Sequence, residues 1–160
     1  MGQLMTKRER ITGIVLAALL LITIVNSTYY FLGIAGVSVN QWLVFNACAP
    51  SSIAYIIGLA VCLFTRDRMW LAVAVVPIFF FGTMGMFVFP WNGYNMMAQV
   101  SHILMTFNIA WALYVLLKYR DYKALGLGLL VSIIVFMPFI TYTQVYCREH
   151  ADEVMRVLGI

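Results

Sequence analysis

Residues 95–108 read Asn-Met-Met-Ala-Gln-Val-Ser-His-Ile-Leu-Met-Thr-Phe-Asn, and this stretch carries many polar side chains within an otherwise apolar part of the chain. Four of them recur at i, i+4, i+7 and i+11, the spacing that shares one face of an α-helix: Asn95, Gln99, His102 and Thr106. We expect this stretch to be a helix and the other four apolar segments of the chain to pack around its polar stripe.

The composition identifies the class of protein. Hydrophobic residues make up 64% of the 160 positions and charged residues make up 10%, against about 45–50% and about 25% in soluble domains. A water-soluble fold would have to bury nearly every segment on all sides, and a chain of this length lacks the interior volume for that. The sequence therefore predicts an all-α integral membrane protein.

Charged residues divide the chain into membrane spans. Three stretches contain no Lys, Arg, Asp or Glu: 11–65, 69–117 and 124–147. A charged residue at the bilayer centre costs about 2.5–3.5 kcal/mol, and a helix needs about 20 residues to cross the hydrocarbon layer. The first two stretches are therefore long enough for two spans each and the third for one. The predicted bundle has five transmembrane helices, at 11–31, 42–64, 69–89, 95–117 and 124–146.

Basic residues predict the orientation, because they stay preferentially in short cytoplasmic loops. Eight of the 10 lysines and arginines lie before the first span, after the second or after the fourth, which are places on one side of the membrane. The N-terminus is thus predicted inside and the C-terminus outside. The predicted parts are a basic cytoplasmic leader at 1–10, the five-helix domain at 11–146, and a short amphipathic extracytoplasmic tail at 147–160 that forms a surface helix or a frayed end.

Uncharged polar side chains collect in the predicted outer half of the bundle. They are Asn26, Asn46, Ser51, Ser52, Asn92, Asn95, Gln99, Ser101, His102, Thr141, Thr143 and Gln144. Pro50 adds to them, because it cannot donate to the carbonyl of Asn46 and so leaves that oxygen for another partner. Unsatisfied polar groups are expensive inside a membrane. These groups must therefore bond to one another, to water or to a ligand.

The predicted ligand site has a polar part and an aromatic part. Hydrogen bonds would come from Asn46, Asn95, Gln99 and His102, and walls from Tyr30, Tyr55, Trp91 and Tyr94. His102 is the only histidine in a predicted span, and its charge can change near neutral pH. Its alternative role is that of a neutral histidine bonded to Asn or Ser on a neighbouring helix. Metal, haem and proton-relay roles are further alternatives, although a relay normally uses carboxylates, which the spans lack.

Two further chemistries stay open at this point. A Cu(I) site suits a thiol, an imidazole and thioethers, and the sequence offers Cys48 and His102 with the methionines Met84, Met86, Met96, Met97 and Met105. Methionine is also an ordinary gap-filler. A nucleophile–base enzyme would set Ser51, Ser52 or Ser101 beside His102, but the spans offer no acidic residue to orient the base.

The three cysteines show no metal-binding spacing. Cys48 and Cys147 both fall toward the predicted outer face, where they either pair as a disulfide or stay free thiols. Cys62 falls near the inner face and is expected to be a packing residue.

These patterns predict a multi-pass plasma (inner) membrane protein with an outward pocket that binds, or helps to pass, a small uncharged or weakly charged solute. The rival hypothesis is a non-catalytic subunit of a larger membrane complex that docks through glycines: Gly82, Gly85, Gly126 and Gly128. The expected partners are the lipid bilayer, a small molecule, and other subunits or a second copy. The net charge of +4 follows from the topology, so no nucleic acid is expected. The sequence identifies no cofactor.

Overall fold

The computed structural model describes residues 5–84, 91 and 93–159, apart from the side chains of Met84 and Tyr94. In this part of the chain 88% of residues are helical and none forms a strand. The α-helices are α1 (Lys7–Thr28), α2 (Val39–Phe45), α3 (Cys48–Thr65), α4 (Met69–Met84), α5 (Gly93–Lys118), α6 (Tyr122–Glu149) and α7 (Ala151–Leu158). A π-helical segment, Tyr29–Ile34, extends α1.

Several helices have the length and composition of membrane spans. Four described helices are long and apolar enough to cross a bilayer: Lys7–Ile34, Cys48–Thr65, Asn95–Lys118 and Tyr122–Glu149. α4 is also apolar, but it has only 16 described residues, fewer than the approximately 20 that a full span needs. Residues 85–89, the last five of the span predicted at 69–89, lie outside the described part. The helices indicate a multi-pass membrane protein of the all-α class.

α4 is the hub of the bundle, since it packs against α3, α5 and α6. It is apolar on every side, and most of its side chains from Leu71 to Phe81 are buried. A helix of that composition belongs where other helices surround it. The expectation that the polar helix α5 would take this position was wrong: α5 packs mainly on α1 and α4.

Glycines bring the backbones of α3 and α6 close to α4. A Cβ atom at Gly58 would lie 2.4 Å from the Cβ of Ala74, and one at Gly128 would lie 2.5 Å from the Cβ of Ala72. Both distances are far below van der Waals contact. Small residues on both sides of these helix pairs therefore set how closely the helices approach.

The helix predicted at 42–64 is broken in two. α2 ends at Phe45, and Asn46 and Ala47 form a turn before α3 begins at Cys48. In a continuous helix the carbonyl of Asn46 would have no donor four residues later, because residue 50 is proline, which has no N–H. In the turn the N–H of Ala49 donates to the Asn46 carbonyl at 2.8 Å. The carbonyl that we expected to be open to another partner is therefore already bonded.

The connection between the spans predicted at 11–31 and 42–64 is also shorter than expected. The π-helical segment carries the first long helix to Ile34. α2 begins at Val39, where Ser38 and Gln41 form a capping box. The helix start had a recognisable signal, a serine followed three residues later by glutamine.

Charged side chains hold one end of the bundle together. Lys118 and the hydroxyl of Tyr119 both donate to the carboxylate of Glu9, the latter at 2.8 Å. Arg68 pairs with Asp121 at 3.0 Å. These contacts join the start of α1, the turn before α4 and the end of α5. The three basic segments predicted to share one side of the membrane thus lie at one end of the molecule, which we call the charged end.

The C-terminal tail is helical and docks at the opposite end of the bundle. Its apolar side chains pack on the end of the first helix and on α2, in a cluster that includes Phe31, Val44, Phe45, Val154, Val157 and Leu158. Gln41 donates to Glu153 at 2.8 Å. Of the two outcomes expected for the tail, the structure thus has the amphipathic helix, and it lies against this chain itself.

Candidate functional site

A cavity of about 70 Å³ lies between α1, the turn from α2 to α3, α5 and α7. Six polar side chains line it: Asn26, Ser27, Asn46, Asn95, Ser101 and His102. Tyr30, Phe31, Phe45 and Leu158 form much of the apolar wall. Since one buried water needs about 10–15 Å³ of such space, the cavity has room for a few waters or for a ligand of a few heavy atoms.

Four of the eight predicted site residues line this cavity: Asn46, Asn95, His102 and Tyr30. Asn95 and His102 are seven residues apart on α5, so their directions differ by only about 20°. The side chain of Tyr94 lies outside the described residues. The remaining three predicted residues do not line the cavity, and each has a geometric reason.

Gln99 points about 60° away from His102 around the helix axis, and it is buried without lining the cavity. Tyr55 lies about 10 Å further along α3 than Cys48, where it is fully buried and donates to the carbonyl of Asn108 at 3.3 Å. Trp91 precedes α5 and is 63% exposed. The placement of these side chains does not favour the ligand contacts that the sequence predicted for them.

Asn46 connects two of the elements around the cavity. It lies in the turn between α2 and α3, and its side-chain N–H donates to the hydroxyl oxygen of Ser27 on α1 at 3.0 Å. Ser27 in turn donates to the carbonyl of Ile24 at 3.3 Å. The helix break and the outer part of α1 are thereby held together at the cavity wall.

His102 has a defined orientation. Its Nδ1 lies 2.8 Å from the carbonyl oxygen of Ala98, which can only accept, so Nδ1 carries the ring proton. In the neutral ring Nε2 is then an acceptor. It lies 3.0 Å from Sγ of Cys48, whose S–H can donate to it. The imidazole is only 3% exposed and bridges α5 to the first residue of α3.

This contact differs from the ones that the sequence predicted. The expected partner of His102 was a serine or asparagine, whereas the structure has Cys48 there. Ser51 donates instead to the carbonyl of Cys48 at 2.9 Å, and Ser101 donates to Thr23 at 3.2 Å. The serine nucleophiles of the enzyme hypothesis therefore use their hydroxyls elsewhere.

Sequence reasoning grouped Cys48 with His102 only in the Cu(I) hypothesis and did not predict a direct thiol–imidazole contact, because the two residues are 54 positions apart. No local spacing marks such a pair, and the helix break that turns Cys48 toward α5 was itself not predicted. All three cysteines are free thiols. Cys147 lies near the carbonyl of Val44 at 3.7 Å, so the disulfide alternative for Cys48 and Cys147 is not formed.

The predicted Cu(I) set is only partly assembled. Met97 lines the cavity with Cys48 and His102, while Met105 is buried in the core and Met96 is 46% exposed. The side chain of Met84 and all of Met86 lie outside the described residues. Within the described part of the chain no three His, Cys, Asp or Glu side chains group as metal ligands.

Comparison of the chain with protein-family models, with curated proteins and with solved structures finds no match. Function is therefore inferred from the geometry of the cavity and from the chemistry of the side chains around it.

Proposed function

We propose that this chain is a five-span plasma-membrane protein whose outward-facing cavity binds a small neutral solute and facilitates its passage. The observation that supports this is the convergence of six polar side chains from α1, the α2–α3 turn and α5 on one small cavity. Ligand sites typically have this character, with apolar walls and a few convergent polar groups.

The lining limits the chemistry of the solute. None of the described residues that line the cavity is charged, so an ion would lose its hydration without gaining a counter-charge. The asparagine side chains offer both donors and acceptors. A solute of a few heavy atoms with a hydroxyl, amide or carbonyl group would satisfy them, while Phe31 and Phe45 would contact its apolar part.

The topology proposed for the chain determines which side of the membrane the cavity faces. The charged end, formed around Glu9, Arg68 and Lys118, belongs on the cytoplasmic side by the distribution of basic residues. The cavity lies toward the other end, beside α7. α4 would be the span that brings the total to five, and a fifth span puts the two termini on opposite sides of the membrane.

α7 would act as the gate of the cavity. Leu158 lines the cavity, and the hydroxyl of Tyr30 donates to the carbonyl of Val157 at 3.0 Å. An eight-residue helix held by few contacts opens more easily than the bundle beneath it. Movement of α7 would therefore admit the solute without disturbing the membrane helices.

The rival function, a subunit of a larger complex, has less structural support than its sequence pattern suggested. A Cβ at Gly82 would lie 3.0 Å from the Cβ of Met105, and Gly128 packs on α4, so both glycines serve contacts within the chain. Gly85 lies outside the described residues. Gly126 faces open space, and a partner helix would have to use that face of α6.

The test is solute binding by the purified protein in mild detergent, measured by native mass spectrometry with a panel of small neutral solutes. Ala98→Leu would fill the cavity, because Ala98 lines it. Ala110→Leu adds the same volume at an exposed position on the same helix. Asn95→Ala would remove one polar group from the wall.

We expect a solute adduct in the unmodified protein and in Ala110→Leu, its loss in Ala98→Leu, and affinity about tenfold weaker in Asn95→Ala from the loss of one hydrogen bond. Absence of any adduct, or an adduct that survives Ala98→Leu at full affinity, would contradict the proposal.

A further inference from the structure

Cys48 and His102 have the arrangement of a nucleophile and its general base. Sγ and Nε2 are 3.0 Å apart, and the backbone carbonyl of Ala98 orients the ring through Nδ1 at 2.8 Å. A nucleophile within hydrogen-bond reach of a base that a third group orients is the geometric signature of nucleophilic catalysis. Sγ of Cys48 also lies 3.8 Å from the carbonyl oxygen of Phe81 on α4, a second and more distant acceptor for its S–H.

The position of Cys48 makes its sulfur reachable. Cys48 is the first residue of α3, a helix of 18 residues. Its side chain is half-buried and lines the cavity, so a small reagent in the cavity meets the sulfur. Cys62, by contrast, is fully buried in the core.

We propose that Cys48 and His102 form a nucleophile–base dyad that accepts an acyl group from a small neutral ester or thioester. The inference depends on the proposed function only in that the acyl donor must enter the same cavity. An uncharged donor matches the uncharged lining. The amide groups of Asn46 and Asn95 line the same space and can donate to the carbonyl oxygen as it gains negative charge.

The step is balanced without an oxidant or a metal ion. Sγ attacks the carbonyl carbon and forms a carbon–sulfur bond, while its proton passes to Nε2 of His102. The bond from the carbonyl carbon to the leaving oxygen or sulfur then breaks, and the leaving group takes the proton from Nε2. The products are an S-acylated Cys48 and the free alcohol or thiol.

The experiment uses the full-length protein in mild detergent at neutral pH, with vinyl acetate, a neutral ester small enough for the cavity, as the acyl donor. Intact and peptide mass spectrometry would locate the acetyl group, and neutral hydroxylamine would remove it if it is a thioester. We expect one acetyl group per chain, on Cys48, with Cys147 in the same molecule as an internal control that needs no substitution.

Substitutions separate the role of Cys48 as the nucleophile from the role of His102 as the general base. Cys48→Ser should abolish the thioester, and Cys147→Ser should leave it unchanged. His102→Asn should slow acetylation of Cys48 about a hundredfold, the effect of removing a general base. Size-exclusion profiles would establish that each variant is folded.

Acetylation of Cys48 no faster than that of Cys147 would overturn the dyad, as would an unchanged rate in folded His102→Asn. One Ag⁺ bound per chain through Cys48, with no acetylation, would likewise overturn it and assign the pair to soft-metal binding. The two proposals fail separately, because solute binding and acetylation are measured independently on the same unmodified protein. Solute binding without acetylation refutes only the dyad, whereas loss of all binding refutes the cavity.

Discussion

The side chain of Tyr30 is one of several that tie the C-terminal helix to the bundle. Its hydroxyl donates to the carbonyl of Val157 at 3.0 Å, and its ring contacts that of Phe31 edge-on. The sequence predicted Tyr30 as an aromatic wall of a ligand site, and in the structure Tyr30 lines the cavity. The bond to α7 could not be predicted, because it joins residues 127 positions apart.

Tyr30→Phe should loosen α7 and leave the membrane helices intact. One hydrogen bond contributes about 1 kcal/mol, so amide hydrogen exchange in α7 should become about fivefold faster. Tyr29→Phe is the matched control, since Tyr29 is 67% exposed and should not change the exchange. Equal exchange in both variants would show that the hydroxyl of Tyr30 does not hold α7.

Individual cavity residues could be predicted where the period of a helix determines the direction in which their side chains point. Asn95 and His102 both reach the cavity because a helix turns almost two full times in seven residues. Gln99 is on the same broad face but points elsewhere. The polar stripe therefore identified a helix that lines the cavity, while only contacts between helices select which of its side chains meet the cavity.

Gly128 determines how closely α6 approaches α4. A Cβ there would lie 2.5 Å from the Cβ of Ala72 and 2.7 Å from the carbonyl oxygen of Met69. Because the second contact is with backbone, the helices would have to separate. Gly128→Ala should destabilise the protein by about 1–3 kcal/mol, seen as a lower midpoint of thermal unfolding in detergent.

Gly126→Ala is the control for this prediction, two residues away on the same helix. A Cβ there meets nothing within 4 Å, and alanine favours helix by up to about 1 kcal/mol over glycine. The midpoint should therefore stay the same or rise. If the two alanine variants have equal midpoints, close packing of α6 on α4 is not what stabilises this pair.

At the level of elements, the charge-free stretches predicted the helical content well, because insertion into lipid forces the backbone to satisfy its own hydrogen bonds. The break at Asn46 was not predicted. Pro50 signalled a kink, but a kinked helix and a turn between two helices both accommodate a missing N–H. The partners of α2, which include α6 and the π-helical segment, became visible only in the folded chain.

For the whole molecule, the sequence predicted that three basic segments share one side, and the ion pairs of Glu9 with Lys118 and of Arg68 with Asp121 bring them to one end. It did not identify α4 as the hub. Hydrophobicity alone cannot rank apolar helices by burial, because a lipid-facing helix and a central one are equally apolar. α6 shows this, since many of its large apolar side chains are exposed, among them Leu130 and Ile134.

The central claim is that the polar cavity opens to the outside while the charged end faces the cytoplasm. The most direct measurement is labelling of single cysteines in intact cells with a membrane-impermeant maleimide, in a background where Cys48, Cys62 and Cys147 are alanine. Asn26→Cys reports on the cavity, because Asn26 lines it and is exposed. Lys118→Cys reports on the charged end.

We predict that Asn26→Cys is labelled in intact cells and that Lys118→Cys is labelled only after the cells are permeabilised. Labelling of Lys118→Cys in intact cells, with Asn26→Cys protected until permeabilisation, would contradict the orientation and with it the outward-facing cavity.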